Sequence, residues 1–135
     1  MKTIFILMLI LLNLQSNTTI LKNNDTKLIT LEKERLNYVL LKNSNECILS
    51  TTFFSNLIEK NIENNEELLD YIKQNFKKIE TKFDINNNNI TVVKLNYKLN
   101  YIKKSIVFNF FKEENECKNT LDQLNKQELL TTNIF

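Results

Sequence analysis

Apolar and polar residues alternate strictly through Val93, Lys94, Leu95, Asn96, Tyr97, Lys98, Leu99, Asn100 and Tyr101, which predicts a β-strand with one buried face. The alternation resumes at Ile106, Val107, Phe108, Asn109 and Phe110. With residues 102–105 as a four-residue loop, Tyr101 would face Ile106, Leu99 would face Phe108 and Tyr97 would face Phe110. The two apolar faces then coincide in a hairpin. Such a loop can be built on a type I turn without glycine, and each cross-strand pair contributes roughly 0.2–1 kcal/mol. Ahead of this hairpin, Leu68, Leu69, Ile72, Phe76, Ile79 and Phe83 recur at helical spacing. Asn64 or Asn65 can cap that helix, Glu66 and Glu67 suit its first turn, and Lys73, Lys77, Lys78 and Lys82 suit its later turns. Asn86, Asn87, Asn88 and Asn89 are expected to end it in a turn, because asparagine best replaces glycine at positive φ. Its apolar stripe should pack on the hairpin's aromatic face.

Elsewhere the pattern is less decisive. Over residues 25–54, Leu28, Leu31, Leu36, Val39 and Leu40 tolerate a helix, while residues 35–42 and 47–54 could pair as a hairpin about Asn43, Ser44, Asn45 and Glu46. β-branched and aromatic residues favour a strand over 47–54. A short final helix is expected from Thr120, where Thr120 and Gln123 have capping-box spacing and Leu121 and Leu124 share a face. The run Leu40, Leu41, Lys42, Asn45, Glu46, Cys47 is echoed by Phe110, Phe111, Lys112, Asn115, Glu116, Cys117, so each cysteine follows a strand-like segment through a polar turn. The fold class read from these patterns is α+β. It is a small single domain with an amphipathic helix on an antiparallel sheet that contains a hairpin in the C-terminal half.

The first residues set the compartment. Lys2 gives a charged head, Ile4 to Leu12 form an unbroken apolar run, and Leu14 and Ser16 occupy the positions inspected by a signal peptidase. The run is far short of the roughly 20 residues that span a bilayer, so residues 1–16 read as a cleaved secretory signal and 17–135 as one secreted domain, with no membrane span left after cleavage. Removing residues 1–16 takes Lys2 from a formal charge of +2 and leaves +1. In an oxidising compartment the two cysteines, Cys47 and Cys117, are expected to form one intramolecular disulfide in a monomer. Asn17, Asn24 and Asn89 each begin an Asn-x-Ser/Thr sequon. Asn24 and Asn89 fall in segments expected to be exposed and are the candidate glycosylation sites.

Composition then removes chemistries. The chain has no His, Gly, Pro, Trp or Ala and one arginine, Arg35. Except for histidine, the missing residues have GC-rich codons, so AT-biased coding accounts for most of the skew. Without histidine there is no Ser-His-Asp or Cys-His machinery, and two cysteines cannot complete a zinc site. Without glycine there is no Walker A loop, dinucleotide fingerprint or nucleophile elbow. Glu113, Glu114 and Glu116 read as a solvated acidic turn. No catalytic residue, cofactor site or metal site is expected, and the chain is read as a non-enzyme.

Lysines at 94, 98, 103 and 104 interleave with Tyr97 and Tyr101, but in a strand they point to opposite faces, which argues against a stacking nucleic-acid surface. The near-neutral charge argues the same way. A helix followed by two strands that end at Cys117 resembles the central part of the cystatin family of cysteine-protease inhibitors over residues 65–117. The family's Gln-x-Val-x-Gly hairpin has no counterpart, since the turn here reads Asn100, Tyr101, Ile102, Lys103, Lys104, and its Pro-Trp hairpin is absent. That resemblance therefore assigns no residue. The expected role is a secreted protein that binds an extracellular protein partner through its surface. The alternatives are a carrier of a small apolar ligand between helix and sheet, and a cystatin-like inhibitor lacking the usual motif.

Overall fold

The computed structural model describes residues 26–28, 30–85 and 88–134, with side chains described at 30–85 and 88–126. Residues 1–16, Asn17 and Asn24 lie outside them. In chain order the elements are β1 (Thr26–Leu28), a 3-10 turn (Lys33–Arg35), β2 (Tyr38–Leu41), β3 (Glu46–Leu49), α1 (Ser50–Ile58), α2 (Asn65–Asn75), β4 (Lys78–Asp84), β5 (Ile90–Leu99), β6 (Ile102–Phe111) and α3 (Glu114–Ile134). The strands form one antiparallel sheet in the order β1-β4-β5-β6-β2-β3. The fold is α+β, with the β5–β6 hairpin in the C-terminal half at the centre of the sheet.

That hairpin differs from the sequence expectation in register and in turn. The loop is two residues, Asn100 and Tyr101, both at positive φ, and Leu99 pairs with Ile102. Leu95 therefore faces Ile106 and Val93 faces Phe108, where a four-residue loop had suggested Tyr101 opposite Ile106 and Leu99 opposite Phe108. The shift is an even number of residues, so each side chain keeps its face. A turn of this type matches the right-handed strand twist and lets both strands run to ten residues. Its usual signal is glycine, which this chain lacks.

The stretch read as one helix is a helix and a strand. Helix α2 stops at Asn75, Phe76 is extended (φ −127°, ψ 121°), and β4 pairs with β5 from Lys78↔Asn96 to Asp84↔Ile90. Ile79, Thr81 and Phe83 satisfy period two as well as a helical stripe, and the ladder offered by β5 decides between them. Residues 88–89 consequently lie in the turn joining β4 to β5, while Asn86 and Asn87 lie outside the described residues. The predicted cap holds: Asn64 Oδ1 accepts from the Glu67 amide at 2.9 Å, and a Glu67 carboxylate oxygen accepts from the Glu63 amide at 3.1 Å.

The N-terminal alternatives resolve as a hairpin followed by a helix. β2 pairs with β3 around the turn at 42–45, with Asn45 at φ 57°. The strand expected over 47–54 ends at Leu49, because Phe54 and Ile58 recur at helical spacing and bury against the sheet. Glu59 caps α1 in the left-handed region (φ 54°), a place glycine would fill in most chains. Ser55 Oγ accepts from the Ile62 amide at 2.8 Å and fixes the path from α1 to α2. Helix α3 starts six residues before Thr120, so Glu114 and Glu116 occupy its first turn instead of a free acidic loop. Each cysteine does follow a strand through a polar turn, but the echo ends there: Cys47 lies in a strand and Cys117 in a helix.

The start of β5 is covered on both faces, while from Val93 to Leu99 the strand buries one face, as its alternation predicts. Ile90, Thr91, Val92 and Val93 are all buried, and exposure begins at Lys94. Val93, Leu95, Ile106, Phe108 and Phe110 pack under α1 and α2 with Phe54, Ile58, Leu68 and Ile72. On the reverse face Leu40, Ile90, Val92 and Phe111 pack under Cys117, Leu121 and Leu124 of α3. Phe54 meets the Phe108 ring at 5.3 Å and the Phe110 ring at 6.3 Å, so the space between helix and sheet is filled by the chain's own rings.

Candidate functional site

The far end of the β5–β6 hairpin extends beyond the strands that flank it. β4 begins at the Lys78↔Asn96 pair, so Tyr97, Lys98 and Leu99 pair only with β6 and the hairpin projects past its neighbour. At its tip Tyr101 is 100% exposed and Ile102 is 60% exposed. Tyr101 also holds φ at 68°, a region that disfavours any residue with a Cβ and suits asparagine better than tyrosine. A large ring in an unfavourable backbone state, with none of its surface buried, gains nothing from packing in return.

Beside the tip, the notch left by the late start of β4 opens into a cavity of about 500 Å³. One wall is the connection from α2 to β4, with Asn75, Lys77 and Lys78. The other is the hairpin, with Asn96, Tyr97 and Lys98 on β5 and Lys103, Lys104 and Ser105 on β6. Five lysines and no carboxylate line it. None of the five lysines forms an ion pair among the described residues, whereas Lys94, one rung inward, meets Glu80 at 3.7 Å. Lys98 and Lys103 stand directly opposite each other in the register, a like-charge pair that destabilises the hairpin end. Tyr97 is buried to 7% exposure and its hydroxyl has no hydrogen-bond partner among the described residues. That burial pushes its pKa upward.

The sequence pattern had separated lysines from tyrosines by face. The register joins Tyr97 to Lys104 across the strands, and a two-stranded end is narrow enough for both faces to border one notch. The signal that could have found the site is the cluster Lys77, Lys78, Lys98, Lys103 and Lys104 taken with the two-residue turn.

The other candidate residues lie elsewhere. Cys47 and Cys117 are joined by a disulfide, with Cα atoms 6.0 Å apart, and tie β3 to α3 at the opposite side of the sheet. Asn89 sits half-buried in the β4–β5 turn at φ 54°. Its neighbour Asn88 donates to Thr120 Oγ1 at 3.0 Å, which moors the turn to α3. Glu114 pairs with Lys118 at 2.9 Å, and the sole arginine stacks on the Phe83 ring at 4.2 Å. Among the described residues no three His, Cys, Asp or Glu side chains gather as a metal site, and no helix is long and apolar enough to cross a membrane.

No family model, curated protein or solved structure matches the chain.

Proposed function

We propose that residues 1–16 direct the chain out of the cell and are removed, and that the remaining domain acts by binding a partner there through the projecting end of its β5–β6 hairpin. The observation that carries this reading is Tyr101, fully exposed and held at a positive φ at the tip of a hairpin that outruns the sheet. Aromatic side chains presented on a rigid strand pair contribute disproportionately to protein–protein contacts, and a strained residue at an exposed position is retained at a cost in stability. The Cys47–Cys117 disulfide supports export, since such bonds persist in oxidising compartments. The aromatic packing between helices and sheet favours surface binding over carriage of an apolar ligand, because Phe54, Phe108 and Phe110 occupy the space a ligand would need.

The test is recovery of partners from extracellular medium with the disulfide-bonded domain as bait, run beside Tyr101→Asn. Asparagine suits the backbone and removes the ring, so that variant should fold and lose the captured partner. Equal capture by both proteins would refute the role given to the tip.

A further inference from the structure

We infer that the lysine-lined notch beside the hairpin tip is a binding site for a multiply charged oxyanion of small-molecule size, one bearing clustered phosphate or sulfate groups. The inference rests on the surface-binding reading and names the ligand chemistry of the same end of the molecule. Three observations carry it. Lys77, Lys78, Lys98, Lys103 and Lys104 converge on one cavity with no carboxylate in its lining. Two of them, Lys98 and Lys103, are directly paired across the strands, a like-charge repulsion that an anion between the ammonium groups would relieve. Neutral groups stand among them: Asn75 and Asn96, whose amides donate to the Tyr71 carbonyl at 2.7 Å and the Lys78 carbonyl at 3.3 Å and each keep a second N–H, and Tyr97, whose buried hydroxyl has no partner among the described residues.

The size and chemistry of the ligand follow from the walls. A volume of about 500 Å³ lies in the range of small-molecule sites and exceeds what one inorganic phosphate fills. Lysine ammonium groups act as separate point charges and lack the planar fork with which arginine selects a carboxylate, so they favour several dispersed oxyanion groups over one planar one. Tyr97 is the one aromatic in the lining and is itself buried, which leaves no stacking platform for a nucleobase.

Two probes separate the sources of this chemistry: sucrose octasulfate for sulfate esters and inositol hexakisphosphate for phosphate esters. Each is titrated calorimetrically into the disulfide-bonded protein, and its effect on melting temperature is read against sodium chloride at matched ionic strength. The comparison proteins are a notch variant, Lys98→Gln with Lys103→Gln and Lys104→Gln, and a control of equal charge change at exposed sites elsewhere, Lys60→Gln with Lys112→Gln and Lys126→Gln. At least one probe should bind and raise the melting temperature of the natural protein and the control. The notch variant should bind at least about tenfold more weakly, as expected for the loss of three solvent-screened charge contacts. Without ligand the notch variant should melt no lower than the natural protein, because a repulsion is removed. A response to only one probe identifies the ester. No binding of either probe, or equal weakening in notch variant and control, overturns the inference. If both probes fail while Tyr101 still governs capture of an extracellular partner, the oxyanion chemistry alone falls. Failure of capture removes the reading beneath it.

Discussion

Cys47 on β3 and Cys117 in α3 stand with their Cα atoms 6.0 Å apart, joined across 70 residues of chain. Their bond ties the N-terminal β2–β3 hairpin to the helix that covers the reverse face of the sheet, and Cys117 is itself completely buried among Leu40, Phe111 and Leu121. Closing so long a loop stabilises the fold by roughly 4 kcal/mol in the chain-entropy model. Cys117→Ser should therefore lower the melting temperature sharply and place a hydroxyl in an apolar pocket. On a non-reducing gel the natural protein should run as a monomer faster than its reduced form. A dimer band that Cys117→Ser abolishes would show the bond to be intermolecular.

Phe54 is the second anchor. It lies at 2% exposure against Phe108 and Phe110, so Phe54→Ala should cost about 3–5 kcal/mol, measured by denaturant unfolding. A loss below about 1 kcal/mol would mean that α1 does not close the core as described.

At the tip the sign is reversed. Tyr101→Asn should raise stability, because tyrosine in the left-handed region costs about 1–2 kcal/mol and asparagine tolerates it better. Higher stability together with lost partner binding is the pattern expected of a residue kept for contact. Lower stability would show that the ring supports the fold.

Alkaline unfolding follows from Tyr71, whose phenol pKa burial pushes up to about 12, with Tyr97 shifted in the same direction. The fold keeps these protons at pH values where the unfolded chain releases them. Stability from this source is complete below the unfolded value near ~10 and is lost as pH rises through the folded value. Melting temperature should fall between about pH 10 and 12 in step with phenolate absorbance, and Tyr71→Phe should flatten that fall.

The elements whose period is unambiguous were legible in the chain. Val93 to Leu99 alternate as a strand should, Leu68 and Ile72 bury on a helix capped by Asn64, and the pairing of Cys47 with Cys117 needed only an oxidising compartment. The errors arose where two periods fit one run. Ile79 and Phe83 continue the α2 stripe and also alternate about Thr81, and only the β5 ladder makes the second choice. The hairpin turn is not legible in the sequence for lack of glycine, since Asn100 and Tyr101 adopt positive φ without the residue that usually announces it. The lysine notch was hidden behind that error: a loop over 102–105 leaves Lys103 and Lys104 in the loop, while the true turn sets Lys98 opposite Lys103.

Glycosylation offers an independent check on the compartment. Expressed through a eukaryotic secretory pathway, the protein should carry a glycan at Asn24 or Asn89, read as a mass loss on N-glycosidase treatment. No loss would remove both sites.

Export underlies the whole functional reading, and the N-terminal sequence of protein recovered from the medium tests it most directly. Cleavage after Ser16 predicts a mature chain that begins at or within a few residues of Asn17. Cell-associated protein that retains Met1 and an intact run from Ile4 to Leu12 would contradict it.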